Sequence, residues 1–186
     1  MLKVNRKLSI LGLLIIATLL ISFSIKEIDP RLQKKIDTAI LATYEVESKV
    51  LKNVIIPAEI NDETPASLLE NSFFEIYSNE IKIGYLYLGE APSMKRKFDY
   101  IVLFNTDLTI KKSKVLIYRE DHGKQIGSQR WLKQFIGLST DDQPTYGESI
   151  DAISGATISA SSMTKAMANV LKSVKILKEK QVLKIE

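Results

Sequence analysis

Apolar residues recur along this chain with three spacings, and each spacing predicts a different element. From Leu8 to Ile25 they run almost without interruption and without a charged residue, which reaches the roughly 17 to 25 apolar residues that a membrane-spanning helix requires. Leu32, Ile36, Ile40 and Tyr44 then fall four apart, with Val50-Leu51 beyond them. This spacing predicts a helix over 30–52 that starts at Asp29-Pro30, a capping residue followed by proline in the first turn. The segments Phe73 to Tyr77, Lys82 to Leu88, Tyr100 to Phe104 and Val115 to Tyr118 are rich in aromatic and β-branched residues and bounded by turn residues, as strands are. Near the C-terminus Met163, Met167, Val170, Val174 and Leu177 return to spacings of three and four. They mark the apolar face of a helix that starts near Ser159 or Ser161.

The connections fill in the topology. Pro57, Pro65 and the acids between them make 57–67 a loop. Ser78-Asn79-Glu80 reads as a hairpin turn, and Asn105-Thr106-Asp107 closes another, so an antiparallel meander is expected. A short helix over 128–135 and a loop through Pro144 and Gly147 lead to the final helix. The fold class is therefore α+β: a small antiparallel sheet with flanking helices, preceded by one N-terminal transmembrane helix. Residues 1–26 read as a membrane anchor, 27–71 as a helical stalk and linker, and 72–186 as the main domain. Within 27–71, the helix is either a stalk or one helix of the domain.

Charge sets the orientation. Lys3, Arg6 and Lys7 precede the apolar run, so the N-terminus is expected in the cytoplasm and everything after Lys26 on the extracytoplasmic side of a single-pass protein. A cleaved signal peptide is the alternative, with Ser22-Phe23-Ser24 as its small-residue site. The chain has no cysteine, which excludes a disulfide, a thiolate metal site and the usual iron–sulfur cluster. Any redox chemistry must then come from a bound cofactor. The formal charge of +4 arises from 26 Lys and Arg against 22 Asp and Glu, interleaved rather than gathered into a basic stripe with stacking aromatics, so nucleic acid is not an expected partner.

The most informative local feature is Asp151-Ala152-Ile153-Ser154-Gly155-Ala156-Thr157, a small turn with hydroxyls placed directly before a helix. A helix N-terminus offers unpaired N–H groups and the positive end of the dipole, Gly155 lets backbone approach closely, and Ser154 and Thr157 add hydroxyls. Local physics alone leaves two readings open, a phosphate site and an ordinary capped turn.

Resemblance separates them. The heptapeptide is similar, position for position, to the pattern Asp-x-x-(Ser/Thr)-Gly-Ala-(Thr/Ser) of the FMN-binding domains of bacterial respiratory electron-transfer proteins. Those include flavin-carrying components of the sodium-translocating NADH:quinone reductase and of the related ion-translocating electron-transport complex. A second region, Tyr118-Arg119-Glu120-Asp121-His122-Gly123 followed by Ile126 to Trp131 and Gln134-Phe135, also resembles the family. It departs from the family's frequent His-Glu-Thr-Pro-Gly by having Glu120-Asp121-His122-Gly123 and no proline. The similarity covers about residues 72 to 177.

The resemblance implies FMN as cofactor, esterified through its phosphate to Thr157 by a flavin transferase that uses FAD. Ser154, Gly155 and Ala156 would shape the turn, and Asp151 would belong to the transferase's recognition signature. Glu120, His122, Gly123 and Trp131 are further cofactor-site candidates. For His122, the only histidine, the ordinary reading is a solvated loop residue, and for Trp131 and Phe135 it is core packing. No catalytic residue or metal ligand is expected. The chain thus reads as a membrane-anchored flavoprotein that passes electrons between redox partner proteins, rather than a stand-alone enzyme. The alternatives are a noncovalent FMN or phosphate-ligand module and a structural component of a membrane complex.

Overall fold

The computed structural model describes residues 28–68 and 71–183. The apolar segment 8–25 lies outside them, and among the described residues no helix is long and apolar enough to cross a membrane.

Five strands, β1 (Val50–Asn53), β2 (Phe73–Ser78), β3 (Ile81–Pro92), β4 (Lys97–Phe104) and β5 (Ile110–Ile117), form one sheet in the order β1-β2-β3-β4-β5. Every neighbouring pair is antiparallel, the meander that the turn residues predict. The β2–β3 turn has Asn79 at φ 48° and Glu80 at φ 66°, with Ser78 paired to Ile81 across it. Two consecutive left-handed residues match the right-handed twist of a tight hairpin. The longest pairing is β3 with β4, from Tyr85–Phe104 to Pro92–Lys97.

A helix covers each face of the sheet. On one side lies α1 (Pro30–Tyr44), which buries Ile36, Ala39 and Ile40 against Phe74, Ile76, Leu86, Ile101 and Leu103. On the other lies α4 (Thr157–Glu179). Its Met163, Met167, Val170, Val174 and Leu177 are fully buried against Phe73, Tyr85, Phe98, Tyr100 and Phe104. Burial of each such side chain contributes about 1.5 to 3 kcal/mol of transfer free energy. The alternation along β4 explains the layers: Phe98, Tyr100, Val102 and Phe104 face α4, while Ile101 and Leu103 face α1. Two short helices complete the fold, α2 (Ala58–Asn61) between β1 and β2 and α3 (Gln129–Leu132) between β5 and α4, the latter flanked by 3-10 turns at Lys124–Gly127 and Lys133–Phe135.

Three expectations need correction. The first helix stops at Tyr44, where Glu45 adopts a left-handed conformation. Val50-Leu51 instead belongs to β1, which pairs with β2 at the sheet edge. The sequence spacing could not show this, because β1 is only half covered and lacks a clear alternation. The helix expected over 128–135 is broken into a single α-turn and a 3-10 turn. The final helix begins at Thr157 rather than near Ser159 or Ser161. In its first turn Thr157 and Ile158 are exposed and the buried residues are the small Ser159 and Ala160, so apolar periodicity carries little signal there.

Candidate functional site

The motif turn is held from below by α3. The Trp131 indole N–H donates to the Asp151 carbonyl at 2.8 Å, and the Asp151 N–H donates to Gln134 Oε1 at 2.9 Å. Trp131 is buried and meets Phe135 edge to face at 5.3 Å. Asp151 is thus fixed through its backbone, which leaves its exposed carboxylate without a hydrogen-bond partner among the described residues. Beyond it Ser154 and Gly155 are exposed, with Gly155 at φ 75°, a conformation that glycine adopts without steric cost. Buried Ala156 then caps α4 with no side-chain hydrogen bond.

Thr157 is therefore the first residue of a helix whose opening N–H groups no side chain satisfies. Such a terminus carries partial positive charge and free donors. Ser154 and Thr157 are both exposed, and neither hydroxyl has a partner among the described residues. The chemistry available is binding of a tetrahedral anion by backbone donors with a hydroxyl oxygen beside it.

The second region packs alongside. Gly123, buried at φ 84°, sits so close to Tyr118 that a Cβ there would lie 2.5 Å from the phenol oxygen. Tyr118 donates to the His122 carbonyl at 2.8 Å. Its oxygen is then an acceptor for Ser159 at 2.9 Å, and Ser159 lies 2.6 Å from Ser93. This directed chain ties the β3–β4 turn, the end of β5 and the first turn of α4 together beneath the motif. Sequence reasoning missed Ser93 and Ser159, which are joined to Tyr118 only by folding. His122 takes part through its backbone, and its side chain is exposed. Gln125 comes nearest Gly155, its Nε2 3.7 Å from where a Cβ would stand.

Glu120 has a different place. Its carboxylate accepts the N–H groups of Lys95 at 2.6 Å and Arg96 at 2.7 Å, closing the β3–β4 turn. These two backbone donors hold its pKa below the ordinary carboxylate value. A lowered folded-state pKa gives a stabilisation that is present above the unfolded pKa and lost as pH falls through the folded one. Thermal unfolding between about pH 6 and 3 is therefore expected to show a smaller acid-dependent loss for Glu120→Gln than for wild type. Equal losses would exclude the turn as an acid-sensitive point.

Alongside α4 runs a groove of about 580 Å³, lined by Tyr87, Pro92, Lys97, Tyr100, Ser162 and Lys165 among others. Volumes of roughly 300 to 1,000 Å³ are usual for small-molecule sites. Ser162 Oγ is buried in its wall without a partner among the described residues, one helical turn beyond Ser159.

Residues 94–172 match the family model of the FMN-binding domain. The fold is similar to the crystal structure of NqrC from Shewanella oneidensis, with a TM-score of 0.55, 16% sequence identity, and coverage of 82% of this chain and 99% of that one. No curated protein sequence matches the chain.

Proposed function

We propose, from the match of residues 94–172 to the family model of the FMN-binding domain, that the chain is a membrane-anchored, extracytoplasmic flavoprotein holding FMN through a phosphoester on Thr157. The observation that carries this reading is the helix start at Thr157, where uncapped N–H groups, left-handed Gly155 and two exposed hydroxyls meet within the family-matched segment. The residues fit a phosphate: backbone donors and the helix dipole favour its charge, and no acidic residue lies in the first turn.

Thr157 is the modified residue and not a nucleophile that turns over. A transferase would join its oxygen to the FMN phosphorus of FAD, breaking the pyrophosphate bond. AMP leaves, and the hydroxyl proton goes to a base on the transferase. FMN, when bound, supplies one- and two-electron chemistry. The chain's own residues do the rest. Trp131 and Gln134 hold Asp151 in place, and the chain from Ser93 through Ser159 and Tyr118 to His122 keeps the α4 terminus fixed against the sheet. The absence of charge over 8–25, after Lys3, Arg6 and Lys7, supports a single-pass anchor with the domain outside. The partners on this reading are the flavin transferase and redox proteins of a membrane electron-transfer chain.

Flavin fluorescence of the membrane fraction in a denaturing gel, from a host with the transferase, tests the reading. A fluorescent band at the protein's mass is the expected result. Flavin present in native protein but lost on denaturation would select the noncovalent module, and no flavin at all would select a structural role.

A further inference from the structure

We infer that the face formed by Lys111, Lys112, Arg130 and Lys133 is the docking surface for an acidic protein, the partner that exchanges electrons at the motif turn. The electron-transfer role rests on the FMN reading, whereas the charge of the partner does not.

These four cations come from the start of β5, from α3 and from the 3-10 turn after it, and converge on a depression of about 610 Å³. No carboxylate lines this depression among the described residues. None of the four makes an ion pair among the described residues either, whereas Lys49, Lys97, Lys175 and Lys180 elsewhere each meet an acid. Like charges gathered without counter-charge repel one another, and an opposite surface relieves that repulsion while speeding encounter. Within the same depression lies Ile136, 51% exposed, and Thr43, whose buried hydroxyl has no partner among the described residues. An apolar spot inside a charged rim is the layout of a protein interface.

Position links this face to the candidate site. Arg130 and Lys133 are exposed, while Trp131 between them is buried and bonds to Asp151. A partner on the basic face is therefore separated from the base of the motif turn by the width of α3, about 10 to 12 Å for a helix with its side chains. The place of this face at the C-terminal end of α1 favours a protein over a lipid surface, because the chain enters the domain at the other end.

The test compares two triple variants of equal charge change in the full chain. One is Lys112→Glu with Arg130→Glu and Lys133→Glu; the other is Lys165→Glu with Lys172→Glu and Lys178→Glu, all exposed on α4. Lys111 is left in place because its ammonium lies over the Tyr44 ring at 5.4 Å. The probe is a poly-L-glutamate peptide in a salt titration. The first triple is expected to lose about tenfold in affinity at low salt and the second at most about threefold, with the difference closing at high salt. In native membranes the flavin of the first triple should also be reduced more slowly by the membrane's own donors. Equal losses in the two triples, or flavin reduction at the wild-type rate, would overturn the proposal. Selective loss of binding to phosphatidylglycerol vesicles, with peptide binding unchanged, would overturn it in favour of lipid. Absence of flavin in wild type leaves the peptide comparison intact and removes the FMN reading instead. If the triple fails to fold, Arg130→Glu and Lys133→Glu singly carry the same comparison.

Discussion

Thr157→Ala is expected to abolish covalent flavin while leaving the domain folded. The Thr157 side chain is exposed and has no hydrogen-bond partner among the described residues, so its removal should change stability by no more than about 0.5 kcal/mol. Alanine also suits the first turn of a helix. The loss is therefore chemical: no oxygen remains where the phosphoester would form. Thr157→Ser keeps that oxygen and should restore an in-gel flavin band, whereas Ser154→Ala should retain the band because Ser154 is assigned to shaping the turn. A fluorescent Thr157→Ala protein with an unchanged flavin-to-protein ratio would move the ester to another hydroxyl, and peptide mass analysis would locate it. This three-variant set separates attachment from folding, which a single substitution would not.

Gly84→Val should produce the largest loss of stability of any single change considered, about 3 kcal/mol or more. Gly84 stands in β3 opposite Ile76, and Tyr44 crosses over it to donate a hydrogen bond to the Phe104 carbonyl at 2.7 Å. Any Cβ at this position would overlap both the Phe104 carbonyl oxygen and the Tyr44 hydroxyl. The carbonyl is backbone in the sheet and cannot swing aside, so either the strand shifts or the tyrosine is expelled. Overpacking of this kind costs about 1 to 3 kcal/mol for inserted methylenes, and loss of a buried hydrogen bond adds about 1 kcal/mol. For a chain of this size that amounts to a fall in melting temperature of roughly 6 to 12 °C or more. Burial raises the Tyr44 pKa well above the ordinary phenol value, in keeping with the tight fit. Gly84→Ala combined with Tyr44→Ala should cost less than the sum of the two single changes, because one of the two overlaps is gone. Additive losses, or a Gly84→Ala protein melting within about 2 °C of wild type, would show that the strand gives way more easily than this packing implies.

Legibility followed the size of the physical signal. The apolar stripe of α4 was readable because five core residues recur at helical spacing over four turns, and all five are buried. The hairpin at Asn79-Glu80 was readable because turn residues separate two aromatic runs. β1 was not, since an edge strand with one half-buried residue leaves no alternation to detect. Periodicity also missed the first turn of α4, where Thr157, Ile158 and Ser161 are exposed. That turn carries the proposed chemistry, and its start is set by the backbone of Gly155 and Ala156.

Residue by residue, the candidate site divides in the same way. Seven consecutive residues, Asp151 to Thr157, pointed to a turn before a helix because that physics is local: a glycine that turns the chain, hydroxyls, and a helix that begins at once; the choice of a phosphate site over an ordinary capped turn came from the resemblance to the FMN-binding domains. Glu120, by contrast, ties down the β3–β4 turn, a role visible only when Lys95 and Arg96 are brought to it from 25 and 24 residues away. The Ser93–Ser159–Tyr118 chain spans 66 and 41 residues of sequence, and the basic face draws on three separate elements. The sequence by itself determined the class of fold, the antiparallel meander and the apolar stripe of the final helix, because propensity, spacing and turn chemistry act over a few residues, and its resemblance to the FMN-binding domains marked the proposed attachment turn. Only the tertiary structure decided which polar groups are shared, which are left free and which charges gather on one face, because hydrogen bonds and Coulomb interactions depend on distances that folding alone creates.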